Sequence, residues 1–243
     1  MIEEFDKYVS NFDLNNKDIK LKYNHSFRVM KLSEKYSKLF NFNGYDIKLA
    51  SLIGLLHDIG RFKQLQLYNT YKDNNKMDHA IYGSKILFEE GLITNFWDNE
   101  EDYEVIKFAI ENHNKFIIEE TNDERKLKFA KLIRDIDKLD IIYLYGYLDE
   151  INMRETDVEI NPVIIDNIKK HKLSLKKEEK TINDSIALSF AFAFDINYDV
   201  VLDELKTNMK YFYERINTKN KFEDIFKEIN KYIDERKNKN VRD

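Results

Sequence analysis

The chain has 243 residues, 42% hydrophobic and 35% charged, with one proline and no cysteine. That balance excludes a disordered tract, a collagen-like repeat and a disulfide scaffold, and the lack of cysteine removes thiolate nucleophiles and thiol-based metal sites. Forty basic and 45 acidic residues give a formal charge of −5 spread along the chain, so no basic stripe draws the backbone of duplex nucleic acid.

Met1–Ser10 is acidic and lacks the basic start and apolar centre of a signal peptide, and a cytoplasmic protein is expected. The longest nearly apolar stretch, Ile186–Phe194, is less than half of the roughly 20 residues that span a bilayer, so no membrane partner is expected. Six glycines leave few interruptions, and apolar residues recur at three and four rather than at two, which predicts an all-α fold. His25, Val29, Leu32, Tyr36 and Leu39 share one stripe of a first helix, with Gly44 as a breaker just past it. A second helix, about Tyr45–Leu56, is apolar on most sides and is placed at the centre; it ends at His57-Asp58-Ile59-Gly60. Arg61–Met77 is predicted as a loop, followed by a helix over His79–Gly91 with Asp78 as N-cap.

Glu101–His113 is predicted as an amphipathic helix with His113 near its end. Glu124–Tyr147 is a long helix whose inner stripe includes Ala130, Ile133, Asp137, Ile141 and Leu144. The polar stretch Asn152–Pro162 holds the only proline and marks a border near residue 150, giving a helical domain over 1–150 and a C-terminal helical subdomain over 151–243. The latter is expected to contain helices near Pro162–His171, Ile186–Phe194, Asp199–Ile216 and Phe222–Arg236.

Four of the five histidines, His25, His57, His79 and His113, fall at helix ends or on inward stripes, while His171 sits among lysines. Singly, an inward histidine is more often a hydrogen-bonded core residue than a ligand. Asp137 is harder to accommodate, because a carboxylate on an apolar face costs several kcal/mol without a partner. His57-Asp58 sets an imidazole and a carboxylate side by side at the end of the most apolar helix. Nitrogen plus oxygen donors suit Mn, Fe, Co, Ni or Zn better than Ca.

Over roughly residues 20–146 the sequence resembles the HD-domain metal-dependent phosphohydrolases: His25 in YNHSFRV, His57 and Asp58 in LLHDIGRF, and Asp137 in RDIDKLDI match the order of the family's ligands. The resemblance implies an HD-type helical bundle in which these four hold a divalent metal, with Asp137 preferred over Asp135 and Asp140. His79 in DHAIYGSKIL and His113 in IENHNK look like the extra ligands of binuclear members, in which Asp58 would bridge two ions. One or two divalent transition metals are therefore implied, Mg being an admissible substitute. The Gly-Tyr-Pro signature of the cyclic di-GMP enzymes is missing after His113, and Arg61 stands where some one-metal members carry a water-orienting Glu.

The implied activity is hydrolysis of a phosphoester of a nucleotide or related small molecule by metal-activated hydroxide, with Asp58 in a catalytic role and Arg61 and Lys138 as phosphate-contacting cations. Lys63 and Arg28 are weaker candidates, and Tyr68, Tyr71, Phe190, Phe192 and Phe194 are weighed as a base-stacking cluster against an ordinary core. The main alternative is a metal-binding sensory or interaction protein on the same scaffold, and a third is oxygenation at a di-iron pair. A homo-oligomer is compatible with the sequence.

Overall fold

The computed structural model describes residues 1–73, 77–148, 153–216 and 220–240, and among these regular structure is helical, with no β-strand. The chain divides into two compact units, Met1–Asp137 and Lys138–Asp243. The border expected near residue 150 lies outside the described residues.

The first unit begins with α1 (Ile2–Val9), a helix not anticipated from sequence, which buries Phe5 and Val9. The Phe5 ring meets Phe62 edge-on at 5.8 Å, and the Tyr8 hydroxyl donates to the Ile59 carbonyl at 3.3 Å, so α1 braces the next turn of the core. α2 (Lys17–Leu39) starts at Asn16, whose side chain accepts from the backbone N–H groups of Asp18 and Ile19. α3 (Gly44–Leu56) is capped by Asn43, so Gly44 opens this helix rather than breaking the preceding one. Nine residues of α3 are buried, among them Leu49, Leu52, Leu55 and Leu56, which makes it the central helix. Each such side chain contributes about 1.5–3 kcal/mol of burial.

α2 and α3 approach closely because residue 54 is glycine. A Cβ there would sit 2.9 Å from the Val29 carbonyl oxygen and 2.6 Å from Ser33 Oγ. The predicted loop over Arg61–Met77 is helical in its first part, since α4 runs over Ile59–Tyr68 and ends at Asn69 in the left-handed region (φ 48°). The polar composition hid a core face: Phe62 and Leu65, three apart, are both buried together with Gln64, and Arg, Lys and Gln form helices readily.

α5 (His79–Ser84) is capped by Asp78, whose carboxylate accepts from the N–H groups of Ala80 and Ile81. It continues as one π-turn over Lys85–Glu89 before Gly91 at φ 77°. A 3-10 turn over Glu100–Asp102 leads into α6 (Tyr103–Asn112), and α7 covers Glu124–Tyr147 as the period predicted. The inner face of α7 is wider than the expected stripe. Asp135 and Asp140 are buried, Asp137 is 13% exposed at its side chain, and Ile142 rather than Ile141 is fully buried.

In the second unit, α8 (Pro162–Lys169) has Asn161 as N-cap, and α9 (Ile182–Phe190) begins with a capping box between Thr181 and Asp184. The helix expected through Phe194 gives way at Ala191 to a 3-10 segment over Ala191–Asp195. α10 (Leu202–Ile216) and α11 (Glu223–Asn240) complete the unit. Phe190 is fully buried against Phe212 and Phe226, at ring distances of 5.0 and 6.0 Å, and so belongs to this core. His171, in the left-handed region, pairs with Glu228 at 2.7 Å.

Candidate metal centre

All six predicted ligands lie in the first unit, on five helices or their ends, and the structure brings them together. His25 projects from the middle of α2. His57 and Asp58 stand in the turn between α3 and α4, so the close α2–α3 contact at Gly54 carries His25 Nε2 to 3.2 Å from His57 Nε2. Gly60 does the same for α5, since a Cβ at residue 60 would fall 2.2 Å from the His79 carbonyl oxygen. His79 and His113 Nε2 atoms then meet at 3.0 Å. His25, His57, Asp58, His79 and His113 are each at most 3% exposed.

Asp58 faces both histidine pairs with different oxygens. Its Oδ2 is 3.4 Å from His25 Nε2 and 3.6 Å from His57 Nε2, while Oδ1 is 3.1 Å from His79 Nε2 and 3.5 Å from His113 Nε2. Asp137 Oδ1 joins the first pair at 3.2 and 3.5 Å from His25 and His57. The groups His25–His57–Asp58 and Asp58–His79–His113 each offer ligand atoms within 4.8 Å of one another, as do His57, His113 and Asp137.

Three imidazoles have their tautomer set by what lies behind them. His57 Nδ1 is 2.8 Å from the Gly54 carbonyl, His113 Nδ1 is 2.6 Å from the Ile110 carbonyl, and His79 Nδ1 is 2.9 Å from both oxygens of Asp73. A carbonyl or carboxylate only accepts, so each neutral ring carries its proton on Nδ1 and turns a bare Nε2 into the cluster. Asp137 Oδ1, buried beside these rings, receives no well-formed hydrogen bond. Lone pairs crowded this way repel unless a cation lies among them, so the buried His/Asp groups fit divalent metal ions.

The charge balance points the same way. Burial opposes ionisation of Asp58, but Lys22 and the neighbouring His57, His113 and His25 outweigh it and hold the carboxyl well below the usual range. Burial likewise opposes ionisation of Asp137, and His25 and His57 overcome it. Burial brings His113 down to about 4, with Asp58 resisting and the neighbouring His79 and His57 assisting. The centre is thus built from ionised carboxylates and, at His113, an imidazole kept neutral at pH 7, which are the forms that bind metal.

Arg61 stands at the rim with Nε 3.7 Å from Asp58 Oδ1, and that Nε is buried without a hydrogen-bond acceptor. Its Nη1 donates to Gln64, to the Tyr71 carbonyl and to Asp73. Lys138 falls in the second unit, where its ammonium pairs with Asp195 at 2.8 Å and lies over the Phe192 ring. Lys63 bonds Gln66 at an exposed position. Tyr68 is 42% exposed, and the Tyr71 hydroxyl donates to Asp18.

Sequence reasoning missed Lys22, whose Nζ is 2.5 Å from Asp58 Oδ2, although its position one turn before His25 on the same helix face was a usable signal. It also missed Asp73 and Gln64, hidden in the segment read as a loop.

The first unit is all-helical and buries four imidazoles around one aspartate, groups able to hold metal ions. Residues 23–142 match the family model described as HD domain, a span that includes all six residues of the centre, and through it the chain belongs to the HD-domain family. Together with the buried His/Asp clusters this is consistent with a metal-dependent phosphohydrolase. No curated protein and no solved structure matches the chain. No helix among the described residues is long and apolar enough to cross a membrane.

Proposed function

We propose that the protein is a binuclear metal-dependent hydrolase that cleaves a phosphoester of a nucleotide or a related small phosphorylated molecule. The observation that carries this reading is the division of Asp58, one oxygen toward His25 and His57 and the other toward His79 and His113. His25, His57 and Asp137 would hold one ion and His79 and His113 the second, with Asp58 as a ligand available to both. When bound, such ions polarise a phosphoryl oxygen and lower the pKa of a coordinated water from about 15.7 to about 7.

The chain's own residues supply the remainder. The buried Arg61 Nε–H, without an acceptor beside Asp58, donates to a phosphoryl oxygen as charge builds on it. Lys22, 13% exposed at its side chain, neutralises Asp58 and offers a second cation to phosphate. Asp58, held ionised beside Lys22 with its two oxygens turned to the two histidine pairs, would serve as a ligand rather than as a proton acceptor. Lys138, whose ammonium pairs with Asp195, is not used in this reading.

Purified protein and the double variant His57→Ala/Asp58→Ala, both supplied with Mn²⁺, test the reading on bis-p-nitrophenyl phosphate, p-nitrophenyl phosphate and a nucleotide panel. Turnover by the wild type and its loss in the variant are expected. Wild type that holds metal and turns over no phosphoester overturns the proposal and leaves a metal-binding scaffold.

A further inference from the structure

His79 differs from its neighbours in how its ring is held. His57 and His113 each follow the last residue of a helix, so a carbonyl three residues back lies under Nδ1. His79 is the first residue of α5, where no preceding helical turn supplies that carbonyl. An acceptor must come from elsewhere in the fold, and Asp73 provides it with both oxygens at 2.9 Å.

Asp73 is itself held in place. Its Oδ1 also receives Arg61 Nη1 at 3.1 Å, Gln64 Nε2 at 2.9 Å and the His79 backbone N–H at 3.2 Å, and Asn114 Nδ2 reaches Oδ2 at 3.5 Å. Gln64 is fully buried and Arg61 is 12% exposed at its side chain, so α4 spends two polar side chains on this one carboxylate. Capping does not explain the arrangement, because Asp78 already caps α5. A third cation position is equally unsupported. Asp73, Asp78 and His79 lie close enough for one, but the Asp73 oxygens are taken up by donors and Asp78 Oδ1 by backbone N–H groups.

We propose that Asp73, braced by Arg61 and Gln64, is a positioning residue that fixes His79 with its proton on Nδ1 and its bare Nε2 aimed at Asp58 and His113. The proposal rests on the binuclear reading above and deepens it, since it makes Arg61 Nη1 part of the second ion's support while its Nε faces the substrate. A carboxylate is a stronger acceptor than a carbonyl, so it holds the His79 ring and its Nδ1 proton more firmly than a backbone carbonyl would. Outer partners of this kind change metal affinity by about 10–100-fold.

The test uses the full chain. Long-range ¹H–¹⁵N NMR on metal-free wild type reads the His79 tautomer, and calorimetric titration with Mn²⁺ reads ion number and affinity for wild type, Asp73→Ala and Asp73→Asn, with circular dichroism confirming that each variant is folded. The expected results are a proton on Nδ1 of His79, two ions in wild type, one of them weakened about 10–100-fold by Asp73→Ala, and a smaller loss in Asp73→Asn, which keeps an acceptor oxygen. A proton on Nε2 overturns the proposal, and this measurement decides the matter alone if the variants do not fold. So does Asp73→Ala binding both ions as wild type does, or a wild type that binds fewer than two. If the Asp73 effects appear while no phosphoester is hydrolysed, this proposal stands and the hydrolase reading falls; turnover with an unaffected Asp73→Ala has the opposite meaning.

Discussion

Gly60→Ala probes how the backbone sets the second histidine pair. A Cβ at residue 60 would lie 2.2 Å from the His79 carbonyl oxygen, 2.7 Å from the Gly83 nitrogen and 3.1 Å from the Gly83 Cα. Ordinary non-bonded contact is about 3.5 Å, so the first overlap exceeds about 1 Å. Every opposing atom is backbone, and no side chain can rotate away. α4 and α5 must therefore separate by about 1 Å, at an overpacking cost of about 1–3 kcal/mol. Alanine's better helix propensity returns at most about 1 kcal/mol and less than that here, because Gly60 is the second residue of α4. The overlap wins. A net loss of about 2 kcal/mol lowers the Tm by about 4–8 °C for a chain of this length. Displacement of His79 also weakens the second ion selectively. Gly44→Ala is the control, since nothing lies within 4 Å of a Cβ there, and its Tm stays within about 1 °C of wild type. Thermal melts with Mn²⁺ titrations measure both effects. A Gly60→Ala protein that melts with wild type and binds Mn²⁺ unchanged would refute the close-approach argument.

The pH dependence follows from His113. Its folded pKa of about 4 lies below the ordinary 6.5, so between these values the unfolded chain takes up a proton that the folded chain does not. Metal-free stability therefore falls as pH drops from about 6.5 to about 4, by about 3 kcal/mol, and denaturant titrations across this range lose that much slope in His113→Gln. Asp58 and Asp137, held below the usual range, stabilise the fold above the ordinary carboxylate pKa and lose that contribution only at lower pH still. In the second unit, Asp184→Ala strips an acceptor from the N–H groups of Asn161, Lys180 and Thr181 and costs about 2–4 kcal/mol by urea titration, with Mn²⁺ affinity unchanged. In Arg134→Met, the carbonyls of Asn112 and Lys115 lose a buried donor, for a loss of about 2–3 kcal/mol by the same assay and weaker Mn²⁺ binding through His113.

Periodicity made α2, α3, α6 and α7 legible, since each buries a continuous face and apolar residues repeat at helical spacing. It failed at α4, where beyond Ile59 and Gly60 the buried face is Phe62, Leu65 and a glutamine among Arg, Lys and Tyr, so composition resembled a loop. The four inward histidines were legible because histidine is rare here and falls at helix ends or, for His25, on the inward stripe of α2. Lys22 offered only its place one turn before His25, since its contact with Asp58 is 36 residues away, and Asp73 was hidden in a polar segment. Asp137 stood out from a stripe argument, yet Asp135 and Asp140 are buried too and Asp137, 13% exposed at its side chain, is the most exposed of the three. What the stripe missed is that long-range packing, rather than helical phase, decides burial at the middle of a central helix.

The central claim is that one carboxylate serves two ions, and the direct test is elemental analysis with electron paramagnetic resonance of Mn²⁺-loaded wild type, His57→Ala and His79→Ala. The account predicts two ions per wild-type chain with an exchange-coupled signal, and single-ion signals without coupling in each variant. One ion per chain in the wild type, or two ions with no coupling between them, would contradict it.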